Sequence, residues 1–495
     1  MDGQRDFEVV VIGAGASGIG AAVKLLAQGV TDFAVLEKTA GVGGTWRANT
    51  YPGCACDVPS ALYSFSFAPN PEWSRAFAEQ PEILDYLRRV SAEHGVDPHV
   101  RFGVELTRAQ WSDGDQRWHL DTTRGRFTAR ILVAGAGPWN EPLIPDLPGL
   151  VDFPGEVFHS AWWDHTIDLK GKRVAVVGSG ASAVQFVPHL QPEVASLHLF
   201  QRTAQWVLPK PDHAVPELEK RLLRAVPFVQ RALRGFEYAA MEALGVGFRN
   251  PWILRLVQRI GLAHLRLTVR DPDLRRALTP DYTLGCKRLL FSNTYYPALT
   301  KPNVTVHPHA VEEIRGSHVV GADGVESEVD AIILGTGFRI LDMPLANLVF
   351  DAEGRSLAEH WRGSPVSYLG TTVAGFSNAF LLLGPSLGTG HSSAFTILEA
   401  QLGYVNTAVR RIRELGWSSI TVRPDVQRRY NNEVQGALAG TVYNTGGCSS
   451  YYLDSNGRNS FSWPWSTSRM RARLAAFDPS DYLIRSPADR PAEMT

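Results

Sequence analysis

Two segments of the 495-residue chain place glycines where a backbone could approach a pyrophosphate. In the first, residues 7–12 (FEVVVI), a short β-branched run, enter Gly13-Ala-Gly15-Ala-Ser17-Gly18. In the second, Arg173–Val177 (RVAVV) enters Gly178-Ser179-Gly180-Ala-Ser-Ala183. The first position of such a turn allows the chain to double back. The second lets a phosphate come close, and the third lets the following helix pack on the strand. The helix then offers unsatisfied N–H groups and a partial positive charge to the phosphates. What each turn selects depends on one side chain further on. Glu37 stands 24 residues after Gly13, and Arg202 stands 24 residues after Gly178. A carboxylate there accepts hydrogen bonds from ribose hydroxyls and repels a 2′-phosphate, whereas a guanidinium pairs with that phosphate. The first site is therefore expected to take FAD, and the second NADPH in preference to NADH. Hydride would pass from nicotinamide to flavin.

Each turn needs a strand, a helix and a second strand to hold it, and the flanking residues supply them. Behind the first turn lies a helical pattern (IGAAVKLLAQ) ending at Gly29, then the run 33–36; behind the second lies a helix and the run SLHLF. Residues 100–137 alternate apolar runs with turn signals and read as a β-meander. ILVAGAG (131–137) and AIILGTG (331–337) read as buried strands entering Gly-rich turns. Residues 211–278 carry Leu, Val, Phe and Arg at helical spacing, broken at Pro216, Pro227 and Pro251. A long helix over about 393–415 precedes an aromatic-rich tail. The expected class is α/β, with two Rossmann-like dinucleotide-binding domains and a helical insertion in the second. The expected boundaries are 1–150 and 335–495 for the FAD domain and 151–334 for the NADPH domain.

Composition excludes other classes. A 44% hydrophobic content and 20% charged content belong to a globular protein. The net charge of −1 gives no overall attraction to nucleic acid or an anionic membrane, so a basic residue that matters must act locally. No run of about 18 apolar residues suggests an integral membrane span, and the N-terminus is not a secretory signal. Cys54, Cys56, Cys286 and Cys448 are too few for a disulfide framework, and three or four of them are expected as buried, inert thiols in a cytoplasmic protein. The histidines show no metal-site spacing.

Two further stretches narrow the class. Gly43-Gly44-Thr45-Trp46, then Tyr51-Pro52-Gly53, then Asp57, fit the pattern GGxW…YPG…D. FPGEVFHSAWWD, with Phe153, Gly155, His159, Trp163 and Asp164 at the fixed positions, precedes the second turn. Both resemble the fingerprints of Baeyer–Villiger monooxygenases, within the wider flavin-containing monooxygenases. The resemblance covers essentially the whole chain and is weakest over 211–278 and the tail. It implies FAD-side roles for Gly13, Gly15, Ser17, Gly18, Glu37, Thr45, Trp46, Asp57 and Tyr63. It implies NADPH-side roles for Gly178, Ser179, Gly180, Ala183, Arg202 and Thr203. Lys287 would help to hold the 2′-phosphate, and Arg288 would stand beside flavin and nicotinamide. One departure is Ser386 in Gly384-Pro-Ser-Leu-Gly-Thr-Gly-His391, where Asn is commoner.

The implied reaction joins reduced flavin and O2 as a C4a-peroxyflavin. That species attacks a ketone, and rearrangement yields an ester or lactone. An anion in a dry pocket needs a fixed cation, and Arg288, oriented by Asp57, is the candidate. His159 lies between domains and is expected to position NADP⁺ or couple domain rotation, without acid–base work. The alternative is a flavin-containing monooxygenase acting on nitrogen or sulfur of small molecules. A disulfide reductase would need a CxxC or CxxxxC pair, which Cys54 and Cys56 do not form. A nucleotide sensor would have no use for Lys287-Arg288. Oligomeric state is left open.

Overall fold

The computed structural model describes residues 5–486. The first sheet is built on β1 (Arg5–Ile12), β2 (Phe33–Glu37), β3 (Val100–Phe102), β4 (Leu106–Ser112), β5 (Arg117–Thr122) and β6 (Gly125–Ala134). β1 lies between β2 and β6, parallel to both, and β3 extends the edge beside β2. β4, β5 and β6 run antiparallel. The meander therefore begins at Leu106, not at residue 100. Residues 100–102 are reached through the helix Gln80–Glu93, and a strand reached by such a crossover pairs in parallel. Val9, Val10 and Val11 are fully buried, as expected of a strand covered on both faces.

The second sheet is wholly parallel. Its order is Val304–His307, β9 (Ser196–Phe200), β8 (Arg173–Val177), Ala331–Leu334 and β7 (Glu156–His159). The chain then returns to the first sheet, where Val349–Phe350 pairs with β4 and Ala379–Leu381 with β6. The two connecting segments run side by side. Leu143 N–H donates to Gly337 O (2.8 Å), Arg339 N–H to Glu141 O (2.9 Å), and Thr336 Oγ1 to Leu143 O (2.6 Å).

Between β9 and the short strand Leu290–Phe291 the chain forms four helices, Glu217–Ala225, Pro227–Arg249, Pro251–Thr268 and Pro272–Ala277. Pro227 and Pro251 open helices, where a missing N–H costs nothing. This insertion reaches back to the first sheet's side of the molecule. Arg234 donates from Nη1 to Ala61 O (2.8 Å) and Ser64 O (2.9 Å), and its Nη2 lies 3.4 Å from Glu399. The long helix Ala394–Glu414, which carries Glu399, packs on Ala16–Ala27.

The expectation of three or four free thiols is corrected. Cys286 and Cys448, 162 residues apart, form a disulfide, while Cys54 and Cys56 stay free and buried. The tail residues 446–452 fold onto residues 283–288, with Thr283 N–H donating to Gly446 O (2.8 Å), and this tertiary contact brings the sulfurs together. Burial pushes the two free thiols up to about 12. Among the described residues no helix is long and apolar enough to cross a membrane, and no cluster of potential metal ligands occurs.

Candidate active site

Both glycine turns join the end of a central strand to the start of a helix. A Cβ on Gly18 would fall 1.8 Å from Gly13 O, so only glycine allows the helix Ala16–Ala27 to sit this close to β1. The second turn uses φ +104° at Gly178, and Ala183 replaces the third glycine as a fully buried core residue. Gly15 and Gly180 are the N-cap residues, and no side chain caps either helix. The first-turn N–H groups are thus left for a ligand. Gly44 faces Gly15 so closely that a Cβ on Gly44 would lie 2.8 Å from Gly15 Cα, which makes the first cradle bare backbone on both sides. Around Gly180, no atom lies within 4 Å of a Cβ position. The two turns fit the phosphates of two dinucleotides.

Glu37 ends β2, buried. Its Oε2 accepts from Ala14 N–H (2.7 Å), and its Oε1 from Thr39 N–H (2.8 Å) and Thr39 Oγ1 (2.7 Å). Three donors fix its carboxylate beside the first turn and leave lone-pair capacity for a sugar hydroxyl. Arg202, at the matching place in the second unit, is exposed. Ser179 Oγ donates to Thr203 O (3.2 Å) and ties that loop to the turn. Lys287 approaches the same loop, its ammonium 5.1 Å from the Tyr282 ring. Burial, and then the Arg202 charge, hold Lys287 below its ordinary pKa. Two cations that repel one another thus stand together beside the second turn, an arrangement that an anion would relieve.

Asp57 and Arg288 line one small cavity, together with Met241 and Leu244 from the insertion helix and with Gly390, His391 and Ser392. Burial raises Asp57 above the usual carboxylate range, and Arg288, Lys210 and Gln185 pull it back only in part. Burial works against the Arg288 cation, yet Asp57, followed by the Tyr451 and Tyr452 side chains, holds its pKa above the ordinary value. The expected pairing is looser than a contact ion pair. The hydrogen bond to Asp57 Oδ1 comes from Gln185 Nε2 at 3.3 Å. Trp46 Nε1 donates to Tyr63 OH (3.2 Å), and Tyr63 stacks edge-on against Phe395 at 4.8 Å, so Thr45-Trp46 and Tyr63 form one wall between the first turn and the long helix.

His159 stands apart from this cavity. It is buried at the end of β7, its Nδ1 accepts from Ala161 N–H (3.0 Å), and its ring lies 5.8 Å from Phe338 in the return linker. Burial pushes its pKa down to about 4, so the ring is neutral at ordinary pH.

Several residues at the site escaped the sequence. Gln185 sits on the helix of the second turn, yet its Oε1 accepts from Tyr51 OH (2.9 Å) and its Nε2 donates to Ala55 O (3.0 Å) of the loop bearing Asp57. Lys210 Nζ donates to Cys56 O (3.3 Å). His391 Nε2 donates to Glu242 Oε1 (3.2 Å), and Glu242 also accepts from Thr467 N–H (3.0 Å). Gln185 lies seven residues after Gly178, on the first helical turns of a recognised motif, which was the one available signal.

Two glycine turns, each leading from a central parallel strand into an uncapped helix N-terminus, define a flavoprotein of the pyridine-nucleotide oxidoreductase type. In agreement, the family profile described as pyridine nucleotide-disulphide oxidoreductase matches residues 10–227. A Baeyer-Villiger monooxygenase of Streptomyces coelicolor is 48% identical over 482 residues, 97% of this chain and 93% of that protein. Another, of Pseudomonas aeruginosa, is 47% identical over 483 residues, 97% of this chain and 92% of its own. A solved structure of an oxidized steroid monooxygenase bound to NADP has a TM-score of 0.87 at 27% identity, covering 98% of this chain and 100% of that one. That of the OTEMO complex with FAD and NADP scores 0.88 at 25% identity, covering 97% and 99%. The chain belongs to the Baeyer–Villiger monooxygenases. It is an NADPH- and O2-dependent flavoprotein monooxygenase.

Proposed function

We propose that the protein converts a small-molecule ketone to an ester or lactone, and that Arg288 and Asp57 are the residues that make the oxygen transfer possible. The observation that carries this reading is their shared cavity, one wall of which is the apolar pair Met241 and Leu244. Residues 1–150 and 335–495 form the FAD-binding unit and 151–334 the NADPH-binding unit. FAD, when bound, supplies the redox and oxygen chemistry. Gly13, Gly15, Ser17 and Gly18 hold its pyrophosphate, Glu37 its ribose, and Thr45, Trp46 and Tyr63 flank it. Gly178, Ser179, Gly180 and Ala183 hold the NADPH pyrophosphate, while Arg202, Thr203 and Lys287 hold its 2′-phosphate.

Arg288 carries a charge that no working pH removes, and it stabilises negative charge developing beside it without giving up a proton. Asp57 restrains that guanidinium from across the cavity when no other anion is present. Gln185 keeps the carboxylate aimed at the cavity. Met241 and Leu244 exclude water, which strengthens every charge interaction inside. A cytoplasmic location, with its NADPH pool, is part of the same proposal.

Offering a cyclic ketone and a thioether with NADPH and O2, followed by product analysis, tests the assignment. Lactone formation is expected. Sulfoxide without any lactone would reassign the protein to heteroatom oxygenation.

A further inference from the structure

The chain's overall balance of −1 conceals one strongly basic stretch. Residues 217–277, the helical insertion, hold twelve Lys and Arg against six Asp and Glu. Between Glu242 and Asp271 there is no acid, and Arg249, Arg255, Arg259, Arg266 and Arg270 all fall there. The insertion's ion pairs use Arg221, Arg224, Arg234 and Arg276 instead. Among the described residues none of those five arginines takes part in an ion pair.

The same stretch concentrates exposed apolar side chains. Of twenty large hydrophobic residues exposed among the described ones, ten lie within residues 218–267. On Pro251–Thr268, Trp252, Leu256, Ile260 and Leu267 are each more than half exposed. At about 100° per residue, they fall within about 80° of one another and form a single row. Arg255, Arg259 and Arg266 run along one border of that row. The opposite side, with Leu254, Gly261 and Leu265, is buried against the protein. The neighbouring helix Pro227–Arg249 packs beside it and exposes Phe228 and Phe236, with Ala232 and Ala239 on the same uncharged face.

An apolar surface of this extent is uncommon on a free monomer. Amphipathic helices with an aromatic-aliphatic row and a basic border lie in a lipid interface, their apolar face sunk roughly 5–10 Å into the headgroup–acyl boundary. A helix of this kind rests on the bilayer, in keeping with the lack of any described helix able to cross one. We propose that the outer face of the insertion docks the protein on an anionic phospholipid surface. Trp252, Leu256, Ile260 and Leu267 enter the interface, and Arg255, Arg259 and Arg266 along the border meet lipid phosphates. A second copy suits the face less well. Two-fold pairing places the same surface on both partners, so arginines would confront arginines with no acid between residues 243 and 270.

Flotation of the FAD-loaded enzyme with vesicles tests this. Recovery with phosphatidylcholine vesicles containing one-third phosphatidylglycerol is expected, with little recovery on pure phosphatidylcholine. Release is expected in molar salt, where charges are screened beyond about 3 Å. Replacing Arg255, Arg259 and Arg266 with Gln together should weaken partitioning on the order of a hundredfold, and Trp252→Ser with Leu256→Ser should abolish it. Both variants should oxygenate ketone in lipid-free buffer at the unmodified rate. Equal recovery on both vesicle types would overturn the anionic requirement. No flotation, with a concentration-dependent dimer in sedimentation velocity that the same substitutions dissolve, would assign the face to a second copy of the chain.

Discussion

The two glycine turns follow one plan, yet they treat the charge beyond them in opposite ways. Glu37 is buried and held by three donors, two of them main-chain N–H groups, so it belongs to the framework of its turn. Arg202 is exposed and meets another cation, Lys287, in place of a partner. A ribose is neutral and can be met by a carboxylate already satisfied by the protein. A 2′-phosphate is a dianion, and a site for it stores unfavourable charge until the ligand arrives. On the proposed assignment the permanent ligand meets a finished site, and the exchangeable one an unfinished site.

The sharpest way to break this comparison is Glu37→Ala. The change removes the sugar's partner and also leaves the Ala14 and Thr39 donors unmatched. At about 1–3 kcal/mol for each unsatisfied group, FAD affinity should fall roughly 100- to 1,000-fold. The flavin content of purified protein measures this. A variant that keeps full flavin would return Glu37 to an ordinary turn acid.

Next in size is the end of β7, where His159 packs against the return linker, correcting the expectation that His159 lies in a linker and not at a strand end. His159 is held neutral, with a pKa pushed down to about 4 from an ordinary value near 6.5. Its contribution to stability is complete above about pH 6.5 and is lost as pH falls through 4, because the unfolded chain takes up the proton first. The loss should approach roughly 3 kcal/mol at its greatest. Urea unfolding between pH 7 and 4 should show this slope, and His159→Gln should flatten it.

Smaller effects are expected in the second unit. Arg202→Ala should raise KM for NADPH about 10- to 100-fold and leave KM for NADH nearly unchanged, as one charge-assisted contact implies. Equal changes for both nucleotides would remove the 2′-phosphate from the account. Lys287→Ala should raise KM for NADPH by less, about tenfold, since its ammonium is a point charge without a planar fork. Combined with Arg202→Ala it should fall short of additivity, because losing either cation relieves repulsion on the other.

Much of this arrangement was legible in the chain, for identifiable reasons. The turns, Glu37 and Arg202 lie within short stretches whose spacing is set by one strand, one helix and one strand, so periodicity reveals them. The parallel pairing of residues 100–102 was not legible, because short apolar runs look alike whichever neighbour they meet. Nor was the Cys286–Cys448 bond, which depends on the tail folding back over 162 residues. Gln185 and Met241 reach the cavity from the second unit and its insertion, and no local pattern encodes a contact across domains. The net charge of −1 describes the sum and not its distribution, in which residues 217–277 hold twelve Lys and Arg against six Asp and Glu.

The central claim is that the Arg288 cation sustains the charge that develops during oxygen transfer. It is tested most directly by giving Arg288→Ala protein NADPH, O2 and a cyclic ketone, and following flavin absorbance and lactone together. NADPH should still bleach the flavin, while lactone yield falls at least about 100-fold, the scale expected for losing one preorganised charge-stabilising group. Lactone formed at the unmodified yield would contradict the account.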